Sequence, residues 1–147
     1  LAEAQIRLGK NADAVPVVTR YLELAREPSS RARGLQAQAA IALAGRELEK
    51  ATTLCDESLL LQPEGRLNAE GRLLSGEISF ANKNYPDAAR AFMTVAVLYD
   101  DPSLTPRALR RAADAYRKAD NLFEAEKALK ELAKRFPDAE KKSAQAD

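Results

Sequence analysis

Residues 82–99 read NKNYPDAARAFMTVAVLY, and this stretch decides the fold. Ala88, Ala89, Phe92, Val95, Ala96 and Tyr99 recur at three- and four-residue intervals, the spacing that gathers apolar side chains on one face of a helix. The same stretch supplies the helix start. Asn84 is a good N-cap, and Pro86 falls in the first turn, where its missing amide hydrogen costs no bond. Asn82-Lys83-Asn84 suits a turn, and upstream of it Leu73, Leu74, Ile78 and Ala81 again keep helical spacing. The unit is a helix hairpin.

Outward from Ala88, the pattern returns. Ala14, Ala51, Ala88 and Ala125 stand 37 residues apart. Four positions after each comes Val18, Cys55, Phe92 or Leu129, and eight positions after it Leu22, Leu59, Ala96 or Ala133. Twelve positions before each stands a small residue, Ala2, Ala39, Gly76 or Ala113. Agreement in four registers marks an internal repeat, the signature of stacked supersecondary units. The expected fold is all-α: a solenoid of four helix hairpins with a 37-residue period, residues 1–137 forming one array. Its repeats are approximately 1–30, 31–65, 66–104 and 105–137, the first truncated, with a tail over 138–147. Helices are predicted at 1–9, 14–26, 32–45, 48–62, 66–82, 86–99, 106–119 and 122–135.

Prolines and caps mark the boundaries. Thr105-Pro106 reads as an N-cap followed by proline at the first helical position, and Pro63-Glu64-Gly65-Arg66 as a helix stop followed by a start. Pro16 fits least well, because an interior proline forfeits an amide bond. A start at Ala14, with Asp13 as the cap, removes the conflict and is the expected arrangement; a helix kinked at Pro16 is the alternative.

The columns resemble the tetratricopeptide repeat family, whose pattern has small residues where the paired helices meet and aromatics between them. The fourth repeat matches best, with Ala113, Tyr116, Ala125, Leu129 and Pro137. The third supplies Gly76, Ala88, Phe92 and Tyr85, with Ser79 in place of an aromatic; the second supplies Ala39, Ala51, Cys55 and Pro63. The period exceeds the family's usual 34 residues, the extra residues falling at Arg26–Ser30 and Tyr99–Pro106. In this the chain resembles the longer-linker repeats of bacterial cell-envelope proteins, which would place it in the envelope, with a cytoplasmic site the alternative.

The resemblance implies a right-handed solenoid that binds a protein or peptide segment on the concave face lined by the first helix of each hairpin. Carried onto this sequence, that face holds Arg33, Gln36, Ala40 and Leu43, then Glu70, Leu73, Glu77 and Phe80, then Arg107, Arg110, Asp114 and Arg117. The expected partner-binding set is Leu43, Leu73, Glu77, Phe80, Arg107, Arg110, Asp114 and Arg117: an apolar strip flanked by arginines. The family's carboxylate clamp needs asparagines where Ala40, Glu77 and Asp114 stand, so that mode of binding is not expected. Self-association, or a spacer role in a larger envelope protein, is the competing expectation.

Composition narrows the chemistry. With 46% apolar but only 5% aromatic residues, the core must be built from Ala, Leu and Val, which suits close helix packing. A net charge of +1 with interleaved signs makes no electrostatic case for nucleic acid or an anionic membrane. The chain has no histidine, and so lacks the commonest general base and metal ligand. Cys55 occupies a packing column and reads as a buried thiol. No catalytic residue, cofactor site or metal site is expected. The glutamates pair on paper with lysines one turn away: Glu47 with Lys50, Glu124 with Lys127, Glu126 with Lys130. The chain opens on Leu1 with a helical pattern already running, so it is expected to be part of a longer protein.

Overall fold

The computed structural model describes residues 11–138, whose regular elements are all helices, with no strand among them. Seven helices follow in order: α1 (Asn11–Leu24), α2 (Pro28–Ala44), α3 (Leu48–Leu60), α4 (Gly65–Ala81), α5 (Tyr85–Leu98), α6 (Leu104–Lys118) and α7 (Leu122–Arg135). The expected helix over 1–9, the column residue Ala2 and the tail after Asp138 lie outside the described residues.

Three helix starts differ from expectation, each for a local reason. α1 already includes Asn11, so Asp13 is an acid in its first turn and Pro16 lies inside it. Burial of Ala14 and Val18, at 0% and 2% exposure, holds this segment helical despite the amide bond the proline forgoes. α2 starts at Pro28 rather than at residue 32, using proline's fixed φ in its first turn. α6 starts at Leu104, and Thr105 is not its cap. The capping acceptor is Asp101, whose Oδ1 accepts from the amides of Ser103 and Leu104 at 2.8 Å each. Thr105 is fully buried instead. Its hydroxyl donates to the Tyr99 carbonyl at 2.8 Å and accepts from the Asp101 amide at 3.1 Å.

The turns after α2, α4 and α6 share one backbone form. Arg46, Lys83 and Asp120 have φ of 60°, 62° and 57°, in the left-handed region. The next amide along, on Glu47, Asn84 and Asn121, donates five residues back to Ala42, Ser79 and Tyr116, at 2.9 Å in all three. This is the Schellman arrangement, which satisfies carbonyls that a helix end leaves open. Two of the helices that follow are then capped alike: Asn84 accepts from the Asp87 amide and Asn121 from the Glu124 amide.

The chain divides into two compact units between Ile78 and Ser79. In the first, Ala39, Ala42, Ala51, Cys55 and Ile78 form a buried cluster, with Leu43, Leu54, Leu59 and Leu74 packed against it. Small residues let the backbones close up. A Cβ on Gly34 would lie 2.4 Å from Leu22 Cδ2, and one on Gly71 would lie 2.7 Å from Gln36 Nε2 and 2.9 Å from Leu59 Cδ2. A polar knot ties α2, α3 and α4. Buried Gln36 donates from Nε2 to Ser58 Oγ and to the Leu67 carbonyl, both at 3.0 Å, and the Cys55 thiol donates to the Gly71 carbonyl at 3.5 Å.

In the second unit α5 buries Ala88, Ala89, Phe92, Val95 and Ala96, and α6 buries Ala108, Leu109, Ala112, Ala113 and Ala115. Ala113, Ala125 and Ala128 make a second cluster, bordered by Met93, Tyr116 and Leu129. Arg135, near the end of α7, donates to the Ala96 carbonyl at 2.9 Å and pairs with Asp100 at 3.1 Å.

Candidate functional site

Burial sorts the eight expected partner-binding residues. In the first unit Leu73 is 3% exposed, so it has almost no surface to offer and leaves the expected apolar strip. Leu43 is half-buried and packs on the alanine and cysteine cluster. Glu77 is half-buried on α4. Of the neighbouring positions on the same expected face, Gln36 is a core residue held by Ser58 and Leu67, while Arg33 stays exposed.

The second unit brings the others together. Phe80 is half-buried at the end of α4, with its ring edge-on to Tyr85 at 5.2 Å between centroids. The Arg111 guanidinium lies over the Phe80 ring at 4.2 Å and 5.5 Å from the Phe92 ring, a cation held against two aromatic faces. Along α6 the other members follow one sector. Arg107 and Arg117 are exposed and Arg110 and Asp114 half-buried. The Asp114 carboxylate is 3.5 Å from both Arg111 and Arg117. The sequence reading chose Arg110 and passed over its neighbour Arg111. Only the distant Phe80 tells which of the two sits on a ring.

Cys55 is 1% exposed, and its thiol is pushed up to about 12, first by burial and then by the Asp56 charge, so it stays protonated at neutral pH and is a poor nucleophile. The Tyr116 hydroxyl is also raised, by burial and then by Glu124, with Lys127 opposing. Among the described residues no group of His, Cys, Asp and Glu is placed to hold a metal ion, and no helix is long and apolar enough to cross a membrane. Of the expected surface pairs, Glu47–Lys50 forms at 3.1 Å and Glu124–Lys127 at 3.5 Å.

Sequence reasoning also missed an apolar set at the ends of α5 and α7. Val97, Leu98, Leu122 and Phe123 are 73%, 64%, 65% and 74% exposed. An open groove of 580 Å³ on α5, lined by Pro86, Arg90, Met93, Val97, Leu98 and Tyr116, runs beside the first two. Compared with models of known protein families and with the curated proteins, the chain matches none.

Proposed function

We propose that the chain is a non-catalytic protein–protein interaction module: a right-handed α-solenoid of four tetratricopeptide-like hairpins that docks a partner segment on the face carried by the first helix of each hairpin. Two sets of facts support the repeat reading. The left-handed turn residues Arg46, Lys83 and Asp120 are spaced by the 37-residue period, as are the buried alanines 14, 51, 88 and 125. A backbone motif and a packing column recurring together are what stacked identical units require.

The observation that carries the binding reading is the row on α6, where Arg107, Arg110, Asp114 and Arg117 stand beside the Phe80–Arg111 stack. A rigid helix presenting ordered polar groups is a receptor surface of the kind that takes extended or helical segments. The test is capture of partners from source-organism lysate and membrane extract by wild type and by a Phe80→Ala, Arg110→Glu variant of native helicity. Binding by wild type alone supports the reading; equal binding by both removes the assignment of this face.

A second reading is self-association within a larger protein. It is favoured by the exposed Val97, Leu98, Leu122 and Phe123. Sedimentation of wild type beside a Val97→Ser, Phe123→Ser variant tests it: a concentration-dependent dimer that the variant abolishes would move this reading ahead.

A further inference from the structure

The outer side of α5 carries a projection beside a recess. Pro86, Arg90, Met93 and Val97 follow one another at four-, three- and four-residue steps, the spacing that lines side chains up toward a neighbouring helix. The opposite side is turned inward by Ala88, Ala89, Phe92, Val95 and Ala96, so packing fixes the direction of this stripe. Val97 and Leu98 project from its C-terminal end, largely exposed. Beside them lies the open groove of 580 Å³, lined in part by Pro86, Met93 and Tyr116. A further hollow of 270 Å³ lies between α5 and α7 and shares Met93 and Val97 with the groove. A projection and a recess on one helix suit a two-fold axis, because the same patch on each copy then fills the other.

The charges follow the same symmetry. Arg90 stands near the start of the stripe, and Asp100 just past the end of the helix. Both have partners within the chain: Arg90 gives Nη2 to Asp87 at 2.9 Å, and Asp100 holds Arg135 through Oδ1 at 3.1 Å. Each is the outer member of its pair, with side chains 76% and 86% exposed. Each can also take more than one partner, since a guanidinium has several N–H donors and a carboxylate two acceptor oxygens. Arg135 lines the hollow between α5 and α7, which places Asp100 at its mouth. On the α7 side Glu124 pairs with Lys127 at 3.5 Å and Glu131 with Arg135 at 3.8 Å. Both signs are therefore present, and no single sign dominates to repel a copy of the same surface.

We infer that this side of α5 is the interface of a two-fold homodimer in which the two α5 helices run antiparallel. The inference rests on the self-association reading above and commits it to one face. Leu122 and Phe123 fall outside that face, since they line neither the groove nor the hollow. With the axis level with Val95, Met93 of each copy packs on Val97 of the other. Arg90 lies as far before the axis as Asp100 lies after it, so each Arg90 comes to the Asp100 of the other copy. A parallel pair would set Arg90 against Arg90 and Asp100 against Asp100. Charge therefore selects the antiparallel pair. None of the residues expected on the first-helix face lines the groove or the hollow, so dimerisation does not use them.

The experiment is sedimentation velocity of the whole chain over a concentration series, with variants of native helicity. Wild type should show a reversible dimer. Val97→Asp should weaken it at least about tenfold, while Phe123→Ser should stay within about threefold of wild type. Arg90→Glu and Asp100→Lys should each weaken the dimer about tenfold alone, by setting like charges together. Mixed in equal amounts, these two variants should form a heterodimer within about threefold of wild type, because both of its contacts again join opposite charges. Damage to local packing is not repaired by mixing, so the rescue reads pairing rather than stability. Weakened single variants without rescue overturn the inference, as does a wild-type dimer that Val97→Asp leaves intact; the self-association reading survives either result. A wild type that stays monomeric up to about 1 mM sinks both and leaves the groove to a partner helix.

Discussion

The guanidinium of Arg135 donates to the main-chain carbonyl of Ala96 across 2.9 Å, so a side chain from the last turn of α7 caps the last turn of α5. Ala96 is two residues from the end of α5, among the carbonyls that a helix cannot satisfy itself. A cation there also meets the negative end of the helix dipole.

Arg135→Ala should therefore cost about 1–2 kcal/mol, the range for a hydrogen bond to a charged group allowing for its partial exposure. Arg135→Lys should recover less than half, because an ammonium cannot hold Ala96 and Asp100 with a planar fork. Urea unfolding of the three proteins, followed by circular dichroism, measures both differences.

Gly71 and Gln36 should be coupled. A methyl at residue 71 would meet Gln36 Nε2 at 2.7 Å, displacing the group that donates to Ser58 and Leu67. Gly71→Ala is expected to cost about 1–3 kcal/mol as overpacking plus lost bonds. In a Gln36→Ala background the same change should cost less, by about 0.5 kcal/mol or more. A double-mutant cycle in urea reads the coupling; simple additivity would show that the two do not meet.

The left-handed turn residues are a reserve of stability. Arg46 and Lys83 hold φ near 60° with a β-carbon that glycine lacks. Arg46→Gly and Lys83→Gly should each stabilise by about 0.5–1 kcal/mol, the strain relieved outweighing the extra freedom given to the unfolded chain. Thermal melts of the single and double variants test this, and lowered midpoints would refute it.

Cys55 should report on unfolding. Its buried thiol should resist iodoacetamide at neutral pH in the native protein and react once urea unfolds the chain. The pH dependence follows from the raised pKa. Below the ordinary thiol value of 9.0 both states are protonated and the contribution of the thiol to stability is complete; as pH rises toward about 12 the unfolded state alone ionises and that contribution is lost. Cys55→Val, which puts here the residue type found at Val18, should flatten the decline between these two values. Chemical unfolding at stepped pH compares the two proteins.

Much of the helical layout was legible because small buried residues recur with the helix period. Ala51, Ala88 and Ala125 are all at most 2% exposed, and Asn84 acts as the cap its position suggests. What escaped was decided by partners remote in sequence. Gln36 reads as a surface residue until Ser58 and Leu67 supply its acceptors. Leu73 falls in the groove when the repeat family's concave face is carried onto the sequence, yet it is buried. The start of α6 was misplaced because its capping oxygen belongs to Asp101, three residues ahead of the helix and outside its periodic pattern.

The polar knot around Gln36 has a consequence for how the first unit keeps its alignment. The surface that α2 buries is made of Ala32, Gly34, Ala39 and Ala42, and such a surface is nearly smooth along its axis. Smooth rods pack well at many offsets, and sliding one past another by a turn changes the buried area little. Directional bonds break that degeneracy: a slip of one turn, about 5.4 Å, would pull Gln36 from both acceptors at once and strand Ser58 in an apolar interior. Gln36 thus acts as the notch on an otherwise unmarked ruler.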